Sequence, residues 1–309
     1  MSESKYTSYS EQLYNAMKGV GTDENTLIKI ATSEPLKERL KIKDKYIVIH
    51  GRDLLDDLKS ELSGNFQKLM LALFTDKYEY DAEQLYNAIK GIGTDKDTLI
   101  EIIGTRPGWM LKKIKKVYKN KYDKDLEEDV KGDTSGHFQK LLITLLQCNR
   151  NENNEVDTEK CNQICEELYN AGEKKIIGTD EQIFNKYIGN CSPLELMTIS
   201  REYHRKYGKT LLKVIDSELS GNIKKLIKSV LYSNICPSEY FARRINEAIK
   251  GMGTNEKILN RVIVTRNEID ISIIKQYYKQ LYGKDMVKQI EDDDSGEYKK
   301  LLVALLNKA

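Results

Sequence analysis

Proline is scarce in this chain, at four among 309 residues. Because proline removes a backbone donor and breaks helix interiors, so low a number suits a chain built mostly of helices. Cysteine is sparse too. Cys148, Cys161, Cys165, Cys191 and Cys236 are odd in number and lack C-x-x-C spacing, which argues against a disulfide framework and a zinc site alike. No apolar run approaches the roughly 18 residues of a membrane-spanning helix, and the opening residues carry no apolar core of a secretory leader. A cytoplasmic location is therefore the expectation. Charge of one sign is also missing: 50 Lys and Arg face 48 Asp and Glu, a formal net charge of +2. That balance gives no constitutive reason to bind nucleic acid or an acidic membrane. A mean hydropathy of −0.58 fits a soluble globular protein.

Self-similarity is what the chain has in abundance. Met17-Lys18-Gly19-Val20-Gly21-Thr22 recurs as Ile89-Lys90-Gly91-Ile92-Gly93-Thr94 and as Ile249-Lys250-Gly251-Met252-Gly253-Thr254, with a variant at Ile176-Ile177-Gly178-Thr179. A second element, Ser63-Gly64, Ser135-Gly136, Ser220-Gly221 and Ser295-Gly296, recurs beside it. Both elements step by 72, 85 and 75 residues, so length varies between units and not within them. Each unit has helical periodicity: Leu13, Ala16 and Met17 form one stripe, Leu27, Ile28 and Ala31 a second, and Phe66, Leu69, Met70 and Leu73 a third. Glycine after an apolar helix is a C-cap signal, and threonine followed by acidic residues is an N-cap signal, so each turn joins two helices. About five helices fit in each unit, and units this small should pack on one another.

A dinucleotide fingerprint and a P-loop both fail at these turns, which have no preceding strand, no further glycine and no Gly-Lys-Ser/Thr closure. Taken singly, each turn reads first as an ordinary helical hairpin whose glycines supply positive φ. The informative feature is a carboxylate 40 residues after each turn's last glycine: Glu61, Asp133, Glu218 and Asp293. A glycine turn offering bare carbonyls beside one carboxylate suits calcium, which takes roughly six to eight oxygens. Three carbonyls and a bidentate carboxylate supply about five, so water or an external anionic oxygen must complete the shell, and phosphate fits. The residue before each last glycine is apolar: Val20, Ile92, Ile177 and Met252. Those side chains read either as local packing or as groups that dip among headgroups, with Lys18, Lys90 and Lys250 supplying nearby positive charge.

On these residues, and on stretches such as Gly51-Arg52-Asp53-Leu54-Leu55-Asp56-Asp57-Leu58, the chain resembles the annexins along nearly its whole length. The resemblance implies an all-α fold of four homologous five-helix repeats packed into a curved disc, with calcium loops on its convex face that dock on acidic phospholipid. It implies a short tail at 1–8, repeats at 9–76, 81–148, 160–233 and 237–309, and a linker at 149–159. It also implies metal ligands: the carbonyls of Met17, Gly19 and Gly21 with Glu61; of Ile89, Gly91 and Gly93 with Asp133; and of Ile249, Gly251 and Gly253 with Asp293. In the third repeat the turn is two residues longer, and only Ile176, Gly178 and Glu218 align, with Gly172 as a fourth candidate. Arginine, common in the family 13 residues after the last glycine, stands at Arg106 and Arg266 but is Glu34 and Cys191 elsewhere, which puts local ion pairing in doubt there. The tail is too short for the partner-binding helix that some family members carry.

The rival calcium motif, an EF-hand at Asp292-Asp293-Asp294-Ser295-Gly296, fails because its twelfth position is Val303. Cys161 and Cys165, at i and i+4, read as structural thiols, His50, His137 and His204 are scattered, and Trp109 and most tyrosines read as core or boundary residues. Nothing indicates an enzyme or a nucleic-acid partner. The expected function is calcium-dependent binding to acidic phospholipid, with Ca²⁺ as cofactor, on the inner face of the plasma membrane or on organelles. The alternative is a calcium-regulated cytoskeletal or structural assembly protein, with self-association on membranes as a further expectation. Four divalent ions would add eight to a formal charge of +2, so near-neutrality becomes the resting state of a switch.

Overall fold

A computed structural model describes residues 3–150, 155–175, 178–251 and 253–308. Twenty α-helices and no strand occur among them, five to each repeat. The first repeat contains α1 (Glu3–Met17), α2 (Glu24–Ser33), α3 (Leu36–His50), α4 (Leu54–Glu61) and α5 (Gly64–Leu73). The second contains α6 (Lys77–Ile89), α7 (Lys96–Thr105), α8 (Gly108–Tyr122), α9 (Leu126–Asp133) and α10 (Gly136–Leu146). The third contains α11 (Thr158–Ala171), α12 (Glu181–Asn190), α13 (Pro193–Tyr207), α14 (Leu211–Glu218) and α15 (Gly221–Ile235). The fourth contains α16 (Pro237–Ile249), α17 (Glu256–Arg266), α18 (Ile271–Tyr282), α19 (Met286–Asp293) and α20 (Gly296–Lys308). No helix among the described residues is long and apolar enough to cross a membrane.

All four prolines stand at helix starts, where a missing N–H costs nothing: Pro35 and Pro107 cap α3 and α8, while Pro193 and Pro237 open α13 and α16. The stripes read from the sequence are the buried ones, with Leu13, Leu27, Ala31, Leu69, Met70 and Leu73 wholly enclosed. Each third helix ends in a left-handed residue, at Gly51, Asp123, Gly208 and Gly283. Asp123 is the exception to glycine, with φ of 52°. A buried tyrosine on the third helix ties each of the first three repeats together. Tyr46 donates to Asp57 at 2.6 Å, Tyr118 to Asp129 at 2.7 Å and Tyr203 to Glu173 at 2.9 Å.

The chain forms two compact units, residues 1–80 with 241–309, and residues 81–240. In the first, Arg39 stands buried where the other repeats carry Leu111, Leu196 and Ile271. Its guanidinium donates to the carbonyls of Leu73, Ala31 and Glu34 and to the carboxylate of Glu268 at 3.0 Å, binding the first repeat to the fourth. In the second unit, α7 lies against α15 closely enough that a Cβ on Gly104 would sit 2.4 Å from Ser229 Oγ. Ser229 in turn donates to the Ile100 carbonyl at 3.1 Å.

Several expectations change. Residues 3–8, read as tail, are the first turns of α1, and residues 158–159 of the linker belong to α11. Residues 151–154 of that linker, and Ile176, Ile177 and Met252 of the turns, lie outside the described residues. Trp109 is 46% exposed at the start of α8, neither core nor boundary. Ion pairing at the 13-residue position survives in altered form. Arg106 forks onto Asp81 at 2.8 and 3.0 Å, Arg266 onto Asp270 at 2.8 and 2.6 Å, and Glu34 instead accepts from Lys5 at 2.6 Å and Tyr9 at 3.2 Å. Cys161 and Cys165 are buried, and burial pushes the Cys165 thiol up to about 11 and that of Cys191 to about 12. Thiols so placed stay protonated and unreactive at neutral pH.

Candidate functional site

Each recurring turn is a loop pinched shut by one backbone bond. Asp23 N–H donates to the Ala16 carbonyl at 2.8 Å, Asp95 to Ala88 at 2.8 Å, and Asn255 to Ala248 at 2.7 Å. In the third repeat Asp180 donates to Ala171 at 2.9 Å, closing a loop two residues longer. Glycine is needed at Gly19 and Gly91, whose φ values of 111° and 107° L side chains rarely adopt. No hydrogen bond among the described residues is accepted by the carbonyls of Gly19, Gly21, Gly91 or Gly93. Those oxygens are the loop's uncommitted acceptors.

The helix after each loop is capped by the residue following threonine. Asp23, Asp95, Asp180 and Asn255 accept from the backbone of α2, α7, α12 and α17. Threonine has a different partner, and here sequence reasoning missed a functional group. Thr94 Oγ1 donates to Asp133 Oδ2 at 3.2 Å, Thr179 Oγ1 to Glu218 Oε2 at 3.2 Å, and Thr254 Oγ1 to Asp293 Oδ2 at 2.6 Å. Loop and acid are thus brought together in three repeats by a bond spanning 39 residues. Thr22 makes no such bond with Glu61 among the described residues. A threonine after the last glycine of all four turns was the legible signal.

In the second repeat, Ile89, Gly91 and Asp133 line one cavity of about 290 Å³ together with Lys90, Lys124 and Tyr86. Lys18 and Lys90 lie over the rings of Tyr14 and Tyr86 at 5.6 and 5.5 Å. Their ammonium groups are therefore steadied beside the loops, and Lys250 is likewise exposed. Val20 and Ile92 are fully exposed, more so than any other large apolar side chain described. An ordinary packing contact is ruled out for both. Met17 is buried with its helix, whereas Glu61, Asp133 and Asp293 are exposed and Glu218 half-buried.

The third repeat is built differently. Its longer loop turns Glu173 inward, where it takes the Tyr203 hydroxyl and pairs with Lys209, in place of the fourth-helix aspartates used by the first two repeats. A Cβ on Gly172 would lie 3.3 Å from Glu218 Cγ, so Gly172 does adjoin the acid. Its carbonyl, however, already accepts from Lys175 N–H at 2.9 Å. Gly178 is exposed with φ of 69°. In the fourth repeat Gly251 and Gly253 are exposed beside half-buried Ile249. There the acid has company: Asp294 Oδ2 and Glu297 Oε2 are buried without a hydrogen-bond partner. Burial, then Asp293 and Glu256, push the Asp294 carboxyl up to about 6.

The donor set decides which ion could be held. No group of three or more His, Cys, Asp or Glu side chains suited to a metal occurs among the described residues. Backbone carbonyls with one carboxylate per loop fit a hard cation that accepts carbonyl and external oxygens.

Comparison with known proteins agrees with this architecture. The Annexin family model matches residues 8–73, 80–145, 163–230 and 240–305. The chain is 41% identical to human annexin A13 over 96% of its own length and 94% of the relative's. It is also 41% identical to annexin A11 of Oryctolagus cuniculus, spanning 59% of that longer protein. Among solved structures, annexin III superposes with a TM-score of 0.93 at 37% identity, covering 97% of this chain and 93% of that one. Calcium-bound annexin (Sm)1 superposes with a TM-score of 0.86 at 31% identity, covering 99% and 92%.

Proposed function

The chain belongs to the annexin family of calcium-dependent phospholipid-binding proteins, and we propose that it docks on acidic membranes through its four glycine loops. The carbonyls of Met17, Gly19 and Gly21 with Glu61, of Ile89, Gly91 and Gly93 with Asp133, and of Ile249, Gly251 and Gly253 with Asp293 form three ligand sets. Gly178 and Glu218, with Ile176 and Gly172, form a leaner fourth. These oxygens would hold calcium, which would supply positive charge and open coordination positions that suit a lipid phosphate oxygen. The residues themselves do the rest. Threonine hydroxyls hold the carboxylates toward the loops, Val20 and Ile92 enter the headgroup layer together with Ile177 and Met252, and Lys18, Lys90 and Lys250 face the anionic surface.

The observation that carries this reading is the pairing of two features on one loop. In the second repeat the uncommitted carbonyls of Gly91 and Gly93 share a loop with Thr94, which holds Asp133, and the tip of that loop presents a fully exposed Ile92; Val20 is exposed in the same way on the first loop. Exposing a large apolar group costs water contact unless something covers it. Such a tip is suited to calcium and lipid together. The site of action would be the inner face of the plasma membrane or organelle surfaces. Cosedimentation with phosphatidylserine vesicles tests the proposal: pelleting should require calcium, and its absence at millimolar calcium would refute it. Copelleting with actin or tubulin without lipid would favour the assembly reading instead.

A further inference from the structure

The helix α8 carries six lysines and no acidic residue. Its inner side, Leu111, Ile114 and Tyr118, is buried. Its outer side is a single stripe at i, i+3 and i+7 comprising Trp109, Lys112 and Lys116, all exposed, with the Lys113 ammonium 5.5 Å from the centre of the Trp109 ring. The lower lysines are neutralised, Lys115 by Glu127, Lys119 by Asp123 and Lys121 by Glu83. Lys112 and Lys116 have no ion pair among the described residues. Positive charge is thus concentrated around the one tryptophan of the chain.

An exposed apolar residue at this position is no accident of one repeat. Leu194 and Ile269 stand 85 and 75 residues further on, the same steps as the repeats, and are 39% and 68% exposed. Only in the second repeat does the lysine row accompany it. The stripe is also remote from the calcium loops. Ile92 precedes the N-terminus of α7 and Trp109 follows its C-terminus, so the ten residues of α7 separate them by about 15 Å along the helix axis.

We infer that the α8 stripe is a second, calcium-independent contact for a bilayer bearing anionic headgroups. The chemistry favours a bilayer over a folded acidic partner. An indole with one apolar body and one polar edge suits the headgroup layer, and lysine ammonium groups are attracted to an anionic leaflet as point charges without needing a shaped acceptor. The surface is the outward side of one helix, which offers no groove to grip a peptide. The near-zero net charge of the whole chain conceals this patch because it averages over acids elsewhere.

The sole tryptophan makes the test specific. With calcium chelated and at low ionic strength, vesicles of phosphatidylcholine containing phosphatidylserine should shift Trp109 emission to the blue and pellet the full chain; phosphatidylcholine alone should do neither. The combined Lys112→Glu and Lys116→Glu change should weaken this binding at least about tenfold, while far-UV circular dichroism and calcium-dependent pelleting persist. About 0.5 M salt should abolish it by screening. Absence of both shift and pelleting would overturn the inference, as would wild-type pelleting by the charge-reversed variant. A blue shift with RNA or an acidic peptide but not with vesicles would also overturn it, by making the occupant a soluble polyanion. Because calcium is absent throughout, failure here leaves the loop reading untouched.

Discussion

Thr254 Oγ1 donates to Asp293 Oδ2 at 2.6 Å across 39 residues of chain. The bond joins the loop after α16 to the end of α19, so two backbone segments that share no helix are tied to one another. A carboxylate held in place loses less freedom on binding than one that must be recruited, and pre-organisation of this kind lowers the cost of binding.

Replacing the donor by an isostere should therefore raise the calcium requirement. For Thr94→Val combined with Thr254→Val, half-maximal vesicle binding should need roughly three to ten times more calcium, the scale of about one hydrogen bond. Circular dichroism should not change. Calcium titrations that superpose on wild type, or lie at lower calcium, would show that threonine merely occupies the acid.

Val20 and Ile92 contribute nothing to the folded core, since both are fully exposed. Val20→Ala with Ile92→Ala should leave urea denaturation unchanged. It should weaken vesicle binding roughly tenfold or more, from the apolar groups that no longer enter the lipid. A loss of stability without a loss of binding would reverse the assignment.

Asp123 occupies a left-handed position that glycine fills in the other three repeats. Its backbone N–H caps Lys119, and its side chain is almost wholly exposed beside Lys119 at 3.2 Å, a pair worth little. Asp123→Gly should stabilise the protein by about 0.5–1 kcal/mol, relieving the Cβ penalty and removing an acid from a helix C-terminus. The midpoint of urea denaturation reads this directly, and a lower midpoint would contradict it.

Asp57 sets a pH dependence. Burial raises its carboxyl, but hydrogen bonds from Arg52 and Tyr46 outweigh burial and hold it below the ordinary carboxylate range. A group depressed on folding contributes stability above its unfolded value, and that contribution is lost as pH falls through the folded value. Asp57→Asn should thus cost about 1–3 kcal/mol at neutral pH, with the gap to wild type shrinking below about pH 4. A gap that is constant with pH would mean that charge is not what matters at this position.

Much of this was legible in the sequence because repetition turned weak local signals into strong ones. Leu13, Leu27 and Leu69 could be placed in the core from spacing alone, and the acids 40 residues beyond each turn stood out by recurrence. What stayed hidden depended on side-chain direction. Asp23 and Thr22 are adjacent and both are good caps, yet only the structure assigns the cap to Asp23 and leaves the threonine of three repeats facing the acid. Glu173 lies in the longer third turn, and no spacing signal shows that it takes the tyrosine hydroxyl that fourth-helix aspartates take in the first two repeats. Net charge hid the lysine row of α8, since composition carries no information about where charges lie.

In the function proposed here, the loop carbonyls and the distant acids form one calcium site that attaches the protein to lipid. Calcium-titrated cosedimentation of wild type and of the Glu61→Gln, Asp133→Asn double variant on phosphatidylserine vesicles tests it most directly. The predicted result is wild-type pelleting that requires calcium, a variant that needs substantially more calcium for the same binding, and identical far-UV circular dichroism. Equal pelleting of the two proteins across the titration would contradict the claim and place the calcium site elsewhere.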